Sequence, residues 1–322
     1  MRVLRLAAAL FLLSPLLLAQ DGQPPAAPPV PASSDQPSAS PTAKGDSPPD
    51  LTPDASGMLS QQQMRDLFRV VAQKDEENNK YVRNYTYIER EVENKLDGKG
   101  NVKSTETHTY EILEIYGEQV RRLIEKDDKP LSEKDKSKEE EKIQKVIDKR
   151  KNESDDERRK REEKEEKERE DGRKFVREVA DAYNFKLVGT EQVGGRDAWV
   201  IDGEPRPEFV PQMKEAKFLP KFHGRVWIDK SDLQLAKMDV ECLDTISWGV
   251  FLARFHKGSR FMLEQTRVNN EVWLPLHLEA KIDARLALLK NLDVGFEQSF
   301  RDYKKFGSST KIIGMSEVQE QK

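Results

Sequence analysis

The sequence predicts a mainly β protein, built on one antiparallel sheet that is large enough to curl. The clearest evidence is residues 224–242, two extended runs with alternating apolar side chains joined by the polar turn 229–232. About ten runs of this kind occur in the chain, and only one short amphipathic helix precedes them. A highly charged stretch interrupts the runs and has the composition of an inserted helix.

Residues 1–19 have the pattern of a cleaved secretion signal. Arg2 and Arg5 precede an apolar run that is too short to span a bilayer comfortably, and Ala19 fits the position before the cleavage site. We therefore expect an exported protein, located in the periplasm or otherwise outside the cytoplasm. No cysteine lies directly after the apolar run, which excludes lipid attachment at a signal-peptide cysteine.

Residues 20–57 are expected to be a disordered tether. They hold ten of the 17 prolines and almost no large apolar residues, so burial cannot offset the loss of chain entropy on folding. One folded domain is expected over residues 58–306, followed by a C-terminal tail over residues 307–322.

The domain begins with a predicted helix over residues 59–74. Ser60 can cap it, and its apolar residues recur at three- and four-residue steps. The strands that follow are rich in aromatic and branched residues and are separated by turns at 97–100 and 116–117, which predicts a three-stranded meander.

Residues 131–182 are expected to be a helical, coiled-coil-like insertion that contacts the domain only at its end. Between residues 133 and 174 the chain has 17 acidic and 17 basic side chains, and opposite charges at four-residue spacing support a solvated helix. Because these charges cancel, and because the whole chain has a net charge of −4, no nucleic-acid partner is expected. The second interpretation is an arm that binds an envelope protein.

After the insertion the strand-like runs resume. Gly194 and Gly195 mark a hairpin turn without a phosphate-binding context, and residues 211–220 indicate one or two helical turns with an apolar side. Pro275 lies inside the run with the best alternation, residues 271–284, where it removes a backbone donor. We therefore expect a sheet edge or a β-bulge at Pro275.

No catalytic or metal-binding motif is found. Cys242 is the only cysteine and falls on a predicted buried face, the four histidines have no ligand spacing, and neither G-x-S-x-G nor H-E-x-x-H occurs. His223 beside Asp229 and Glu241 can be drawn as an acid–base group, but a solvated turn histidine is the simpler interpretation. We expect no enzyme activity, no catalytic residue, no metal and no cofactor.

Three motifs relate the chain to a known family. GRDAWVI from residue 195, GRVWID from residue 224 and VWLP from residue 272, together with the early helix and the meander, resemble the LolA-like outer-membrane lipoprotein-sorting superfamily. The resemblance implies an unclosed, strongly curved antiparallel half-barrel whose apolar concave face is covered by helices. It further implies either lipoprotein sorting, with acyl chains held in that face, or envelope-stress sensing of the RseB/MucB type.

One helix cannot cover a concave face of this size, and the uncovered part is where we expect an acyl chain to bind. The lining is expected from Met238, Val240, Leu274, Leu276, Leu278 and Ile282. A rim or lid is expected from Met213, Phe218, Leu219, Trp199 and Trp227. The alternative is that side chains and helices fill the face completely.

The sequence therefore predicts an exported, non-enzymatic protein of the cell envelope that binds a lipid or lipoprotein acyl chain. The alternative is an RseB-like sensor or protein-interaction module that reaches its partner through the charged helix. Residues 286–289 with Leu292 are apolar for a turn, which leaves two further interpretations open, a peripheral membrane contact and simple hairpin-end packing.

Overall fold

A computed structural model describes residues 49–97, 100–116, 118–248, 253–286 and 290–306. The predicted signal segment, most of the predicted tether, the C-terminal tail and the tip at 287–289 lie outside the described residues. Leu51, near the end of the predicted tether, is only 7% exposed and belongs to the main core.

The described chain contains α-helices, one 3-10 helix and β-strands. The helices are α1 (Gln61–Val82), α2 (Glu133–Lys151) and α3 (Asp155–Ala182), and the 3-10 helix is Glu215–Lys221. The strands are, in chain order, β1 (Met58–Leu59), β2 (Tyr85–Leu96), β3 (Val102–Ile115), β4 (Glu118–Lys126), β5 (Lys129–Pro130), β6 (Tyr183–Val193), β7 (Arg196–Pro205), β8 (Phe222–Asp229), β9 (Leu235–Cys242), β10 (Ile246–Trp248), β11 (Ala253–Phe255), β12 (Arg260–Val268), β13 (Val272–Leu286) and β14 (Lys290–Lys305).

All strands belong to one antiparallel sheet. Its order is β1-β6-β7-β8-β9-β12-β13-β14-β2-β3-β4-β5, with β10 paired to β11 and β11 paired to β13. No pairing within the described ranges joins β1 to β5, so the sheet is unclosed. The predicted meander and hairpins are confirmed. A bulge at Pro275 is confirmed as well, because the register between β12 and β13 shifts there.

Helix α1 lies against one face of the sheet and shows how the sheet curls. Asn78 donates to the carbonyl oxygen of Trp273 on β13 (2.8 Å) and accepts from its backbone N–H (2.7 Å). Four residues later, the carbonyl oxygen of Val82 accepts from Gln119 on β4 (3.4 Å). On a flat sheet, β13 and β4 would be separated by four strand-to-strand spacings, roughly 19 Å. From Asn78 to Val82, which contact these two strands, α1 advances by four residues and only about 6 Å along its axis. The sheet therefore curves around α1, and we call the face toward α1 the inner face.

The main core fills the inner face over β6, β7 and β8. Ser60 begins α1 with a capping box to Gln63, and the apolar stripe of α1 packs on the sheet together with the last turns of α3. The buried residues of this core are Leu51, Leu59, Met64, Leu67, Phe68, Val71, Val176, Ala180, Ala182, Tyr183, Phe185, Ile201, Ala216, Leu219 and Ile228.

The charged insertion forms two helices rather than one. Ser132 and Ser154 each cap a helix. Ile143 of α2 is 3% exposed and packs against Ile115 and Val120, and Val120 points away from the inner face because it follows Gln119 on β4. The expectation that the insertion contacts the domain only at its end is therefore wrong, since α2 has an apolar anchor of its own on the outer face.

The three sequence motifs meet at one place in the structure. Arg196 donates two hydrogen bonds to Asp229 (2.7 and 2.9 Å), and its guanidinium lies 5.5 Å from the centroid of the Trp273 ring. Asp229 is 1% exposed and also accepts from the backbone N–H groups of Ser231 and Asp232. Burial by itself would raise the pKa of Asp229, but these hydrogen bonds outweigh it and lower the pKa. The motifs therefore hold the turn between β8 and β9 in place.

Asp229→Asn should destabilise the fold, because it removes the buried negative charge that accepts two hydrogen bonds from Arg196 and leaves that guanidinium with Asp232 alone, at 3.0 Å. We expect the free energy of unfolding to fall by about 3 kcal/mol, measured by urea denaturation. Asp239→Asn is the matched control: its partner Arg260 is 59% exposed, so the loss there should stay below about 1 kcal/mol. Equal losses in the two variants would contradict the role given to Asp229.

Candidate functional site

Strand register places one row of apolar side chains across the inner face. Ile201, Val226, Met238, Leu263 and Leu278 are successive partners on β7, β8, β9, β12 and β13. Ile201 belongs to the core beneath α1, and partners in register point to the same face, so the whole row lies on the inner face. At about 4.8 Å per strand, the row is roughly 19 Å long.

A second row lies two residues further along these strands. Val240, Phe261, Ala280 and Phe296 are successive partners on β9, β12, β13 and β14. Burial along the two rows is uneven. Met238, Phe261 and Phe296 are partly exposed, whereas the other members of the rows on β9, β12 and β13 are buried: Val240, Leu263, Leu278 and Ala280. We call the apolar side chains of β9, β12, β13 and β14 in this region the apolar strip and define it by these residues: Met238, Val240, Phe261, Leu263, Leu278, Ala280, Ile282 and Phe296.

Most of the predicted lining residues belong to the apolar strip, namely Met238, Val240, Leu278 and Ile282. Two lie elsewhere. Leu274 is fully buried against Val82 and Tyr85 at the end of α1, and Leu276 is the extra residue of the bulge and is 38% exposed. The bulge interrupts the alternation of β13, so Leu274 does not continue the line of Leu278. Binding of a ligand by the strip stays a prediction.

The predicted rim residues occupy three different places. Phe218 packs with Met238 and Val240, beside the apolar strip. Trp227 lies on the outer face, because it follows Val226 on β8, and its indole N–H donates to Glu191 (2.8 Å); it does not border the strip. The remaining rim residues contact the main core: Met213, Leu219 and Trp199.

Beyond β14 the inner face changes from apolar to charged. The row through Leu278 continues to Gln298 on β14 and then to Glu91 on β2. The row through Phe296 continues directly to Glu93 on β2. Because side chains alternate along a strand, Glu89 also points inward. We call Glu89, Glu91 and Glu93, together with Arg121 on β4, the acidic zone.

Arg121 joins two carboxylates of the acidic zone. Its guanidinium donates to Glu89 and, at 2.7 Å, to Glu91, and it lies 3.8 Å from the centroid of the Tyr110 ring. Gln298 donates a further hydrogen bond to Glu89 (2.6 Å). Glu89 is only 5% exposed. Its burial outweighs the attraction of Arg121 and raises the pKa of Glu89 to about 7.

Sequence reasoning missed the acidic zone, because Ile88 and Val92 look like the buried residues of β2. In the structure those two side chains point outward, since the register with β14 turns Glu89 inward. Tyr85 and Tyr87 could have indicated that Glu89 points inward. They precede it by four and two residues on the same strand, so they share its face, and both are buried.

Outside the apolar strip and the acidic zone, the described residues offer few groups arranged for catalysis or metal binding. His223 lies 3.6 Å from Glu204 and 3.7 Å from Glu241 at an exposed position, and Cys242 is fully buried. In the ranges that the structure describes, no group of three or more His, Cys, Asp or Glu side chains is placed to hold a metal ion. Of the helices in those same ranges, none combines the length and apolar character needed to cross a bilayer.

The fold of the chain is similar to that of several solved structures, whereas the sequence searches found no match. No family model matches the chain, and no curated protein matches it. One similar structure is a domain described as an outer membrane lipoprotein-sorting protein from Vibrio parahaemolyticus, with 12% identity, coverage of 78% of this chain and 98% of that chain, and a TM-score of 0.31.

Two further structures are similar to this chain. A LolA superfamily protein from Nitrosomonas europaea has 9% identity, coverage of 76% of this chain and 96% of its own, and a TM-score of 0.29. A DUF1329 family protein from Desulfovibrio piger has 11% identity, coverage of 78% and 95%, and a TM-score of 0.26. LolA-superfamily structures are thus among those that the chain resembles, as the motifs indicated. At these TM-scores the likeness carries no inference about what this chain binds.

The raised pKa of Glu89 predicts that the fold loses stability as the pH rises from 5 to 8. The carboxyl titrates near 4.5 in the unfolded chain and near 7 in the folded one. Between these values the folded state binds more protons, so the free energy of unfolding falls with increasing pH. We expect a loss on the order of 2–3 kcal/mol, measured by urea denaturation at pH 5 and pH 8.

Glu89→Gln removes this titrating group and should reduce the pH dependence; a smaller part should remain, because burial also raises the pKa of Asp75 to about 6. Glu297→Gln is the control, because Glu297 is exposed on β14 and pairs in register with Val92 on the outer face; it should follow the wild-type curve. If the wild type and Glu89→Gln had parallel pH curves, Glu89 would not be the group responsible.

Proposed function

We propose that this chain is an exported, non-enzymatic protein of the cell envelope that binds the acyl chain of a lipid or lipoprotein along the apolar strip. One observation carries the proposal: four neighbouring strands, β9, β12, β13 and β14, present apolar side chains on the inner face, and three of these, Met238, Phe261 and Phe296, are partly exposed. An acyl chain laid across these strands would remove that surface from water.

The free energy gained by burying an acyl tail is comparable to the cost of immobilising it. Each buried methylene contributes about 0.8 kcal/mol, so about ten methylenes contribute roughly 8 kcal/mol. This is of the same order as the cost of immobilising a ligand, about 4–15 kcal/mol. A tail that fills only part of the strip therefore binds reversibly, as a carrier or sensor requires.

The sequence supports the remaining parts of the proposal. The signal pattern of residues 1–19 accounts for export. Within the described part of the chain, the strip itself contains no nucleophile with an adjacent base, which is why we propose binding rather than catalysis.

Uptake of a fluorescent fatty acid by the mature protein tests the proposal, together with native mass spectrometry of protein purified from its own envelope. We expect saturable uptake and a mass that includes bound lipid. Met238→Asp and Phe296→Asp place a carboxylate in the strip, which should weaken uptake at least about tenfold.

Val102→Asp is the matched control for these two variants. Val102 is 58% exposed at the start of β3, outside the strip, so uptake should equal that of the wild type. A delipidated mass in native spectra, combined with no saturable uptake by the wild type, would overturn the proposal.

A second candidate is a sensor or protein-interaction module of the RseB type. It is favoured by the placement of α2, which Ile143 anchors to the outer face, away from the strip. The helix that follows carries exposed charges, and the side chains of Lys160 and Lys164 are 70% and 69% exposed. Such a surface is free to meet a protein while the inner face holds a lipid.

Charge reversal separates this candidate from the first. Lys160→Glu combined with Lys164→Glu should abolish capture of an envelope protein by cross-linking if α3 is the contact, and it should leave fatty-acid uptake unchanged. Undiminished capture would exclude this part of α3 as the contact.

A further inference from the structure

A polar cleft lies at the end of the sheet where β8 turns into β9 and β12 turns into β13. It is bounded by these two turns and by the second half of α1, and it has a volume of about 260 Å³. The apolar strip begins at Met238 on β9, four residues beyond Gln234 of the cleft, which is roughly 13 Å of extended chain. The cleft is therefore separate from the strip.

Gln234 contributes a buried amide that has no partner. It lines the cleft and is only 5% exposed, and its side chain forms no hydrogen bond with any residue in the described ranges. Its backbone is engaged, because the carbonyl oxygen accepts from the N–H of Asp229 (2.9 Å). A buried amide without a partner is unfavourable. A ligand that both donates and accepts hydrogen bonds would satisfy it.

The carboxylate of Asp232 is held in a fixed orientation beside Gln234. Its Oδ2 accepts from the indole N–H of Trp273 (2.9 Å) and lies 3.0 Å from Nη2 of Arg196 and 3.0 Å from Nε of Arg267. Within the described part of the chain, Oδ1 accepts no hydrogen bond and the terminal nitrogens of Arg267 donate none. The cleft thus offers a carboxylate oxygen that can accept beside guanidinium N–H groups that can donate.

Each charged residue that lines the cleft has a partner of opposite charge. Lys74 pairs with Glu77 (3.0 Å), and Glu271 pairs with Lys305 (2.7 Å). The two arginines beside Asp232 are balanced as well, because one of them is also the partner of the buried aspartate of the β8–β9 turn. A charged ligand would therefore lose its water without gaining an unpaired counter-charge. An uncharged, hydrogen-bonding ligand fits the cleft better.

The apolar part of the lining is aromatic. Tyr81 on α1 is 47% exposed, and Trp273 is almost buried. No aliphatic residue of the described ranges lines the cleft, so it lacks the side-chain pockets of a peptide groove and the apolar walls of a lipid site. An exposed aromatic ring can instead lie against the C–H face of a small ring whose polar groups reach the neighbouring side chains.

We propose that this cleft binds a neutral sugar residue. Its C–H face lies on the ring of Tyr81, one hydroxyl donates to Oδ1 of Asp232, and a neighbouring hydroxyl accepts from Arg267. The amide of Gln234 forms a further hydrogen bond to the sugar. The inference goes beyond the proposed function, since it concerns another place on the molecule and another class of ligand.

NMR titration of the isotope-labelled mature protein with methyl glycosides tests the inference. The neutral probes are the glucoside, galactoside, mannoside and N-acetylglucosaminide, and the charged comparators are the glucuronide and the glucosaminide. The indole N–H of Trp273 bonds to Asp232, so its resonance should shift saturably when a sugar binds, whereas that of Trp227 on the outer face should not move. We expect at least one neutral glycoside to bind at least about tenfold more tightly than the charged comparators.

Two variants test the assignment to the cleft. Gln234→Leu should weaken binding at least about tenfold, and it removes no side-chain hydrogen bond of the described fold. Tyr81→Ala should weaken binding at least about threefold.

Gln144→Leu on α2 is the matched control for Gln234→Leu. The Gln144 amide bonds only to Asp148, four residues further along the helix (2.9 Å), so this variant should bind sugar like the wild type. Fatty-acid uptake should be unchanged in all three variants.

Four outcomes would contradict the inference. If no neutral glycoside shifts Trp273 saturably, or if the charged comparators bind as tightly, the cleft is not a site for a neutral sugar. Binding that survives in both Gln234→Leu and Tyr81→Ala would overturn the assignment to the cleft. A shift of Trp273 caused by a blocked dipeptide and by none of the glycosides would make the ligand a peptide. Loss of fatty-acid uptake in Gln234→Leu would overturn the separation of the cleft from the strip.

Discussion

The packing of helix α1 into the curve of the sheet is the contact on which the rest of the structure depends. Its apolar stripe holds β6, β7 and β8, and its last two turns reach β13 through Asn78 and β4 through Val82. A helix of 22 residues is about 33 Å long, too short to cover every strand of the sheet. The same contact that makes the sheet curl therefore leaves part of the inner face uncovered.

The inner face has two chemical zones because strand order and side-chain alternation act together. The strands of the apolar strip come from the second half of the chain, and β2 joins them at β14 from the first half. Tyr85 and Tyr87 enter the sheet facing inward, and the alternation then carries Glu89 and Glu91 to the same face. Arg121 and Gln298 offset much of the cost of burying these carboxylates.

The motifs that indicate the LolA-like resemblance serve the fold rather than a ligand. Arg196, Asp229 and Trp273 come from three separate segments and form one network around the turn between β8 and β9. Trp227, from the second motif, packs on the outer face with Val200. Residues that stabilise a hairpin are compatible with many ligands, so these motifs indicate an architecture and not a ligand.

The sequence by itself determined the strands, the hairpins, the early helix and the bulge at Pro275, because these depend on local alternation, turn chemistry and a missing backbone donor. It also placed Met238 and Leu278 on one face. Only the tertiary structure decided which neighbour each strand has. That choice turned Glu89 inward and Ile88 outward, and it put Leu274 beneath α1 rather than in the strip. Pairing between distant strands fixes these positions, and no local pattern records it.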